Sequence, residues 1–242
     1  MLIAFTPTRN RSRQFALLEK YVARSTVKPD IWLVCNDGEP YTYNLGQEVL
    51  TRQAQPKELH SMLSNWLHAM PYLERATAIV CLEDDDWINE KFIETQVRLL
   101  EKTALAGQRP ARYYNLRFKR YRTFRNGDLA SMAQTAFRAE VLPLVARCCQ
   151  RGSVFLDREV WRSWRGSKQL VATDNHVSLK GWHGIGEAHR KMICNQPDPN
   201  HDVLRKWLGA DAGAYEEWFA RKEFSTAPTE PVVSNQGKSP QM

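Results

Sequence analysis

The chain has 242 residues, of which 43% are hydrophobic and 25% are charged, and its formal net charge is +7. This length and composition exclude a disordered polypeptide and a small disulfide scaffold, and they predict one domain with a substantial core. The excess of basic residues favours a polyanionic partner such as nucleic acid or a nucleotide. No apolar run approaches the ~20 residues of a membrane span, and no signal-peptide pattern is present, so we expect a cytoplasmic protein with no membrane partner. The five cysteines contain no C-x-x-C pair, which favours reduced thiols over a zinc site or disulfides.

The N-terminal half alternates predicted strands with predicted helices. Residues 2–5 form a short apolar run, residues 14–23 have helical spacing, and residues 31–35 form a second apolar run. A strand, helix and strand in this order predict a βαβ unit and a parallel sheet. A second helix is predicted at 61–74 and a third buried strand at 79–82.

The third strand runs directly into four consecutive acids in the stretch A-I-V-C-L-E-D-D-D-W, which covers Ala78 to Trp87. Adjacent carboxylates at the edge of an apolar core are stable only if hydrogen bonds or a cation compensate their repulsion and lost hydration. A hard divalent metal ion is one such cation. An acidic cap of a helix that starts near Trp87 is the alternative, and the stretch alone does not separate the two.

Polar residues follow all three predicted strands, at 6–13, 36–39 and 83–86. Ligands of parallel sheets bind at the carboxyl ends of the strands. The convergence of three polar strand ends therefore favours a nucleotide crevice with a metal ion over a helix cap.

A basic and aromatic segment follows a predicted helix at 87–103. Residues 109–125 contain seven Arg or Lys residues interleaved with five Tyr or Phe residues, and Asn126-Gly127 predicts a hairpin turn with a returning strand at 130–137. This composition suits a phosphate backbone with stacked bases, while a solvated hairpin is the alternative. The candidate acceptor contacts in this segment are Arg117, Lys119, Arg120, Tyr121 and Arg122.

The C-terminal part is predicted to contain, in order, helices at 140–150 and 155–161, a strand at 169–179, a glycine-rich loop at 180–189, a helix at 214–222 and a flexible tail at 223–242. Asp157 lies near the start of the second of these helices, where a capping role is common. The loop contains His183 and His189, and two histidines in a glycine-rich loop favour a functional role for at least one of them.

The motifs I-A-F-T-P-T-R-N-R, L-E-D-D-D-W and G-W-H-G-I-G-E-A-H resemble those of GT-A glycosyltransferases, over residues 1–191. Together they are similar to small bacteriophage glycosyltransferases, some of which resemble enzymes that glycosylate hydroxymethylated bases in phage DNA. The resemblance implies an α/β fold of the GT-A (Rossmann-like) type, with a mostly parallel central sheet flanked by helices and an antiparallel addition on the acceptor side. It also implies a single catalytic domain at 1–222, with a nucleotide-sugar half at 1–107 and an acceptor half at 108–222.

The resemblance implies roles for particular residues as well. The acidic run would replace the D-x-D motif of the family, and either Glu83 with Asp85 or Asp84 with Asp86 aligns with it. The implied ligands of Mn²⁺ or Mg²⁺ are Asp85 first, Asp84 next, and His189 as a late ligand. Asp157 falls where inverting members place the catalytic base, and His183 is a candidate acceptor contact. The implied nucleotide-sugar contacts are Thr6, Pro7, Arg9, Arg11, Asp37 (towards the base), Glu83 and Asp84.

The leading hypothesis is a metal-dependent glycosyltransferase that moves a sugar from a nucleoside-diphosphate sugar, with a UDP-sugar expected, to a hydroxyl group. The expected acceptor is a 5-hydroxymethylpyrimidine in double-stranded DNA, in the host cytoplasm if the chain is phage-encoded. Alternatives are a transferase for bacterial surface glycans or protein, a metal-dependent nuclease, and a non-catalytic DNA-binding protein. No obligate protein partner is inferred.

Overall fold

The computed structural model describes residues 1–54, 60–153, 155–182 and 194–220. The expectations for His183, His189 and the tail at 223–242 lie outside these residues. The strands are β1 (Leu2–Thr8), β2 (Ile31–Asn36), β3 (Glu48–Thr51), β4 (Ala78–Cys81), β5 (Trp87–Ile88), β6 (Leu105–Arg109), β7 (Ala111–Asn115), β8 (Arg120–Phe124), β9 (Thr135–Arg138), β10 (Lys168–Ala172), β11 (His176–Lys180) and β12 (Gln196–Pro197). The helices are α1 (Ser12–Arg24), α2 (Ser61–Leu73), α3 (Phe92–Leu100), α4 (Leu142–Gln150), α5 (Leu156–Ser163), α6 (Asp202–Leu208) and α7 (Ala212–Ala220), with 3-10 turns at Met132–Gln134, Ala139–Val141 and Gly209–Asp211.

The central sheet has seven strands in the order β10-β6-β9-β4-β1-β2-β3. β1 pairs in parallel with both β2 and β4, which confirms the βαβ unit and brings the three predicted polar strand ends to one edge. Only β9 is antiparallel to its neighbours β4 and β6. The fold is therefore α/β with a mostly parallel central sheet, as predicted.

Apolar side chains of the central strands alternate between two faces and form two core clusters. One cluster joins Phe5 and Ile79 of the sheet to Trp66 of α2 and Trp161 of α5. The other joins Val80 to residues of α1, α3 and the second sheet. Because both faces of the central strands are covered, these strands read as continuous apolar runs in the sequence.

The second sheet has five strands in the order β12-β8-β7-β11-β5, and only the β7/β11 pair is parallel. It is the predicted antiparallel addition, but its strands differ from the prediction. The hairpin turn lies at 116–119, between β7 and β8, where Lys119 has a positive φ of 48°. Asn126-Gly127 does form a turn with positive φ at both residues, yet the chain beyond it enters the central sheet as β9. Ala136 and Phe137 are fully buried there.

Two further expectations are wrong in detail. The predicted helix at 87–103 begins only at Phe92, because Trp87 and Ile88 pair with β11 as a short strand. The predicted single strand at 169–179 is two strands in different sheets, since β10 pairs with β6 whereas β11 pairs with β5 and β7. Periodicity does not show when a chain passes from one sheet to another.

Among the described residues, the helices are all too short or too polar to cross a membrane.

Candidate functional site

The four acids occupy the connection between β4 of the central sheet and β5 of the second sheet. The backbone N–H of Leu82 donates to the carbonyl oxygen of Phe5 (2.9 Å), which extends the β1/β4 pairing to the start of the acidic run. Asp84, Asp85 and Asp86 are 2%, 8% and 2% exposed. Carboxylates so deeply buried need partners, and each of the three has a different set.

Asp84 is held by the loop that leads from β1 to α1. The Thr8 hydroxyl donates to Asp84 Oδ2 (2.6 Å) and Arg11 Nη1 donates to Asp84 Oδ1 (2.6 Å). Burial raises the pKa of Asp84 to about 6, and the Arg11 guanidinium opposes that rise. Arg11 also lies 3.1 Å from Asp85 Oδ2, so one guanidinium serves two carboxylates.

Asp86 is turned towards β11. His176 Nε2 donates to Asp86 Oδ2 (2.9 Å), the Ser178 hydroxyl donates to the same oxygen (3.1 Å), and the Leu179 N–H donates to Oδ1 (3.2 Å). Burial alone would raise the pKa of Asp86, but the charges of Lys180 and His176 hold it below its ordinary value. Asp86 therefore remains a carboxylate and joins the two sheets.

Glu83, Asp85 and Asp86 each present a carboxylate oxygen, and these oxygens all lie within 4.8 Å of one another. Asp85 Oδ1 is buried and accepts no hydrogen bond from any described residue. Burial and the nearby charge of Asp86 raise the pKa of Glu83 to about 8. Three hard oxygen donors and one buried, unpartnered oxygen fit the coordination chemistry of Mn²⁺ or Mg²⁺. Asp84 is outside this group, although its assignment as a second metal ligand stays a prediction.

Lys180, at the end of β11, faces the same three carboxylates. Its Nζ lies 3.6 Å from Asp85 Oδ2, 3.7 Å from Asp86 Oδ1 and 3.8 Å from Glu83 Oε2. Burial by itself would lower the pKa of Lys180, but these neighbouring charges raise it above its ordinary value, so the ammonium stays charged.

Asp37 follows β2 and is 6% exposed. Arg52 Nη2 donates to Asp37 Oδ2 (2.8 Å) and Asn65 Nδ2 donates to Oδ1 (3.1 Å), while Arg9 Nη1 lies 3.9 Å away. These partners fix the carboxylate at the same sheet edge as the acidic run. The side chain of Arg9 is 42% exposed and can reach a ligand there.

A cavity of about 150 Å³ lies beside the acidic run, lined by Thr8, Arg11, Phe15, Asn36, Tyr41 and Tyr43 among others. Tyr41 and Tyr43 belong to a loop that the buried Glu19 of α1 holds in place. Glu19 accepts hydrogen bonds from the Tyr41 hydroxyl (2.9 Å), the Asn44 N–H (2.7 Å) and Gln47 Nε2 (2.8 Å). The lining of the cavity therefore combines Arg11 and the Thr8 hydroxyl, which contact Asp84, with the aromatic rings of Phe15, Tyr41 and Tyr43.

Thr6 and Pro7 lie in β1. The Thr6 hydroxyl is fully buried and accepts a hydrogen bond from Trp32 Nε1 (3.0 Å), so its side chain faces the core. Thr8, two residues later, is the threonine that reaches the acidic run.

Asp157 lies in the first turn of α5, and its carboxylate accepts a hydrogen bond from the Arg158 N–H (2.7 Å). Burial raises the pKa of Asp157. Burial also raises the pKa of Tyr113, and the charges that act on Tyr113 include Lys180 and Glu83 as well as Asp157.

The predicted acceptor contacts lie on the β7–β8 hairpin. Arg117, Lys119 and Arg120 are exposed at its turn. Tyr121 and Arg122 are half-buried, since Tyr121 packs edge-on against Trp207 (5.5 Å between ring centroids) and Arg122 lies 4.2 Å from the ring centroid of Phe124. Of these five candidates, Arg117, Lys119 and Arg120 are therefore the more accessible to a partner.

Sequence reasoning missed four residues of the site, namely Thr8, His176, Ser178 and Lys180. Thr8 and Lys180 carried a usable signal, because each is a polar residue at the end of a predicted strand. His176 and Ser178 carried none, since their roles depend on β11 joining the second sheet.

Comparisons of the sequence with protein-family profiles and with curated proteins found no match. The structure is similar to S. aureus TarS, with a TM-score of 0.54 and 9% identity over 74% of this chain and 36% of TarS. It is also similar to TarS 1-349 in complex with UDP-GlcNAc, with a TM-score of 0.52 and 12% identity over 89% of this chain and 69% of that chain. For TarS 1-349 in complex with UDP, the TM-score is 0.52 and the identity 10%, over 74% of this chain and 60% of that chain.

These likenesses define the class of fold. The chain has the GT-A glycosyltransferase fold, as predicted. It spans only about a third of the length of TarS.

Proposed function

We propose that this protein is a metal-dependent glycosyltransferase whose donor is a nucleoside-diphosphate sugar, with uridine as the nucleoside. The observation that carries the proposal is the buried acidic run at the carboxyl edge of β1, β2 and β4, where one oxygen of Asp85 has no partner among the described residues. The complexes of TarS with UDP-GlcNAc and UDP support a uridine nucleotide, because TarS shares the fold.

Glu83, Asp85 and Asp86 would hold Mn²⁺ or Mg²⁺, with Asp85 as the principal ligand. The bound metal ion supplies charge neutralisation for the diphosphate that leaves the sugar. Arg11 lies against the same carboxylates and adds a second positive charge on the side of the cavity. Asp37 faces the base in this proposal, with its carboxylate oriented by Arg52 and Asn65.

Asp157 is proposed as the base that accepts the proton of the acceptor hydroxyl, as an inverting reaction requires. A carboxylate in this role contributes typically 10²- to 10⁴-fold to the rate. Its raised pKa supports the role, because burial makes the carboxylate a stronger proton acceptor.

The proposed acceptor is the hydroxymethyl group of a modified pyrimidine in double-stranded DNA. The exposed Arg117, Lys119 and Arg120 of the hairpin turn and the net charge of +7 support a polyanionic acceptor. The C5 substituent of a pyrimidine lies in the major groove, where a hairpin can approach it, or it can be presented by base flipping.

The donor is tested by thermal unfolding with Mn²⁺ and a panel of nucleotide sugars. A donor at 100 times its dissociation constant stabilises the folded state by about 2.7 kcal/mol, and we expect a rise of roughly 5–10 °C in the unfolding midpoint with UDP-sugars. Asp85→Asn should lose the rise, while Asp128→Asn, at an exposed turn, should keep it. Absence of a rise with every donor contradicts the proposal.

The acceptor is tested by transfer of labelled sugar to hydroxymethylated duplex DNA, unmodified duplex DNA and glycan acceptors. Label in the hydroxymethylated duplex alone is expected, and label in a glycan alone contradicts the DNA assignment. Nicking of plasmid by the protein with metal ion and no nucleotide sugar indicates a nuclease instead.

A further inference from the structure

We propose that Lys180 is a built-in counter-cation of the acidic group formed by Glu83, Asp85 and Asp86, and that a divalent ion must displace its ammonium to bind. Lys180 thereby lowers the affinity of the site for metal ions. The inference rests on the proposed function, because it concerns the same carboxylates.

The position of the ammonium carries the proposal. Lys180 Nζ lies 3.6–3.8 Å from one oxygen of each of the three carboxylates, so it occupies the region that these oxygens share. A divalent ion bound by the same oxygens lies about 2.0–2.6 Å from each. An ammonium and a divalent ion that share one such region repel each other strongly, so the two occupy it in turn.

The contacts of Lys180 are also loose enough to be exchanged. Its nitrogen–oxygen distances exceed the 2.7–3.2 Å of a hydrogen bond, so charge rather than directed hydrogen bonds holds the ammonium. Asp85 Oδ1 meanwhile stays buried without a partner among the described residues, which leaves the acidic group incompletely satisfied by Lys180.

The backbone at Lys180 is fixed, so the exchange requires only the side chain to move. Lys180 pairs with Asn115 of β7, and its carbonyl oxygen accepts a hydrogen bond from the Leu116 N–H (2.9 Å). The side chain is 22% exposed and has a flexible stem of four carbons, so it can change conformation while the backbone stays in place.

Asp84 and Asp86 have partners other than Lys180. Asp84 is bonded by Thr8 and Arg11, and the second oxygen of Asp86 is bonded by His176 and Ser178. Removal of Lys180 therefore leaves Asp84 and Asp86 held in place and removes the competing charge.

The test is a calorimetric titration with Mn²⁺ alone, without nucleotide, of the full chain and of three variants. We expect Lys180→Met to bind Mn²⁺ at least tenfold more tightly than the unsubstituted protein. Lys180→Arg keeps the charge and should stay within about threefold of it, and Lys102→Met, in the exposed turn after α3, should leave the affinity unchanged. Equal or weaker binding by Lys180→Met overturns the proposal, as does the absence of binding to either protein.

Two further measurements keep the test decisive. If Lys180→Met does not fold, as judged by its unfolding midpoint, Lys180→Gln takes its place with the same expectation. In the unsubstituted protein, the side-chain NMR signal assigned to Lys180 should shift on addition of Mg²⁺, and an unmoved signal at saturation contradicts displacement. The titration contains no nucleotide, so it is independent of the donor panel. A donor panel without any rise would contradict the proposed function and leave this inference undecided. Equal binding by Lys180→Met would overturn this inference and leave the proposed function undecided.

Discussion

At the scale of single residues, the acids of the run have different partners because their side chains point in different directions. Asp84 points to the β1–α1 loop, Asp86 points to β11, and Glu83 and Asp85 are left with Lys180 and Arg11. Adjacent acids in the sequence thus bind two different elements, the β1–α1 loop and β11, and form one site between them. The sequence predicted the cluster from its composition, but it left open which acids act together.

Arg11→Met should destabilise the fold by about 3 kcal/mol, because it leaves the buried carboxylate of Asp84 without its cation. Adding Asp84→Asn to Arg11→Met should restore most of the loss, since the uncompensated charge is then gone. Urea unfolding of the two single variants and the double variant measures the interaction. Additive losses in the double variant would show that the two residues are not coupled.

His201 should make the fold sensitive to pH below neutrality. Its imidazole is buried before α6, with Nδ1 3.2 Å from the Tyr114 hydroxyl, and it faces Asp198, Lys119, Glu216 and Arg205. Burial, together with Lys119, lowers the pKa of His201 below 6.5. Between that lowered pKa and 6.5 the unfolded chain binds a proton that the folded chain does not, so stability falls as the pH falls through this window.

The variant His201→Asn should lose part of this pH dependence. Asparagine tolerates the positive φ of 61° at this position and has no proton to gain. The free energy of unfolding of both proteins is measured from pH 7.5 to 5, and the difference between them should narrow as the pH falls. If the two curves of unfolding free energy against pH are parallel, His201 is excluded as the cause of the pH dependence.

At the scale of elements, the helix α1 covers the sheet and also holds a neighbouring loop in place. The carboxylate of Glu19 on its inner face holds the loop that carries Tyr41 and Tyr43 against the cavity. Residues 41–47 belong to no helix or strand, and their hydrogen bonds to Glu19 order the loop. The helix and strand propensities of its own residues do not predict such a loop, because its hydrogen bonds are made to a residue distant in the sequence.

Glu19→Ala should loosen this loop without unfolding α1. We expect faster amide hydrogen exchange at residues 41–47, because the acceptor of four hydrogen bonds is removed. We also expect roughly tenfold weaker binding of the uridine nucleotide, since the loop lines the cavity beside Arg11. Lys20→Ala, on the exposed face of the same helix, is the matched control. Unchanged exchange at 41–47 would show that the loop is ordered by other contacts.

At the scale of the whole molecule, the acidic run is also the joint between the two sheets. β4 ends in the central sheet, β5 begins in the second sheet, and Asp86 between them bonds to three residues of β11. The joint and the candidate metal site therefore share one stretch of chain.

Asp86→Asn should lower the free energy of unfolding by about 3 kcal/mol, since it weakens charge-assisted hydrogen bonds across the joint. Asp85→Asn should cost less, because the repulsion from Glu83 and Asp86 offsets the attraction of Arg11 and Lys180, and one Asp85 oxygen has no partner among the described residues. Urea unfolding without added metal ion compares the two. Equal losses would mean that both acids are structural.

The sequence by itself determined the parallel core and the location of the acidic run, because buried strands and their polar ends are local patterns. It also indicated the arginines of the first loop and the basic hairpin segment. Only the tertiary structure decided where the hairpin turns, which sheet receives residues 168–180, and that Lys180, His176 and Ser178 face the acids. The physical reason is that the choice of sheet and the contacts of the acids depend on pairings between distant residues, such as Lys168 with Leu105 and His176 with Asp86, and such pairings leave no periodic pattern in the sequence.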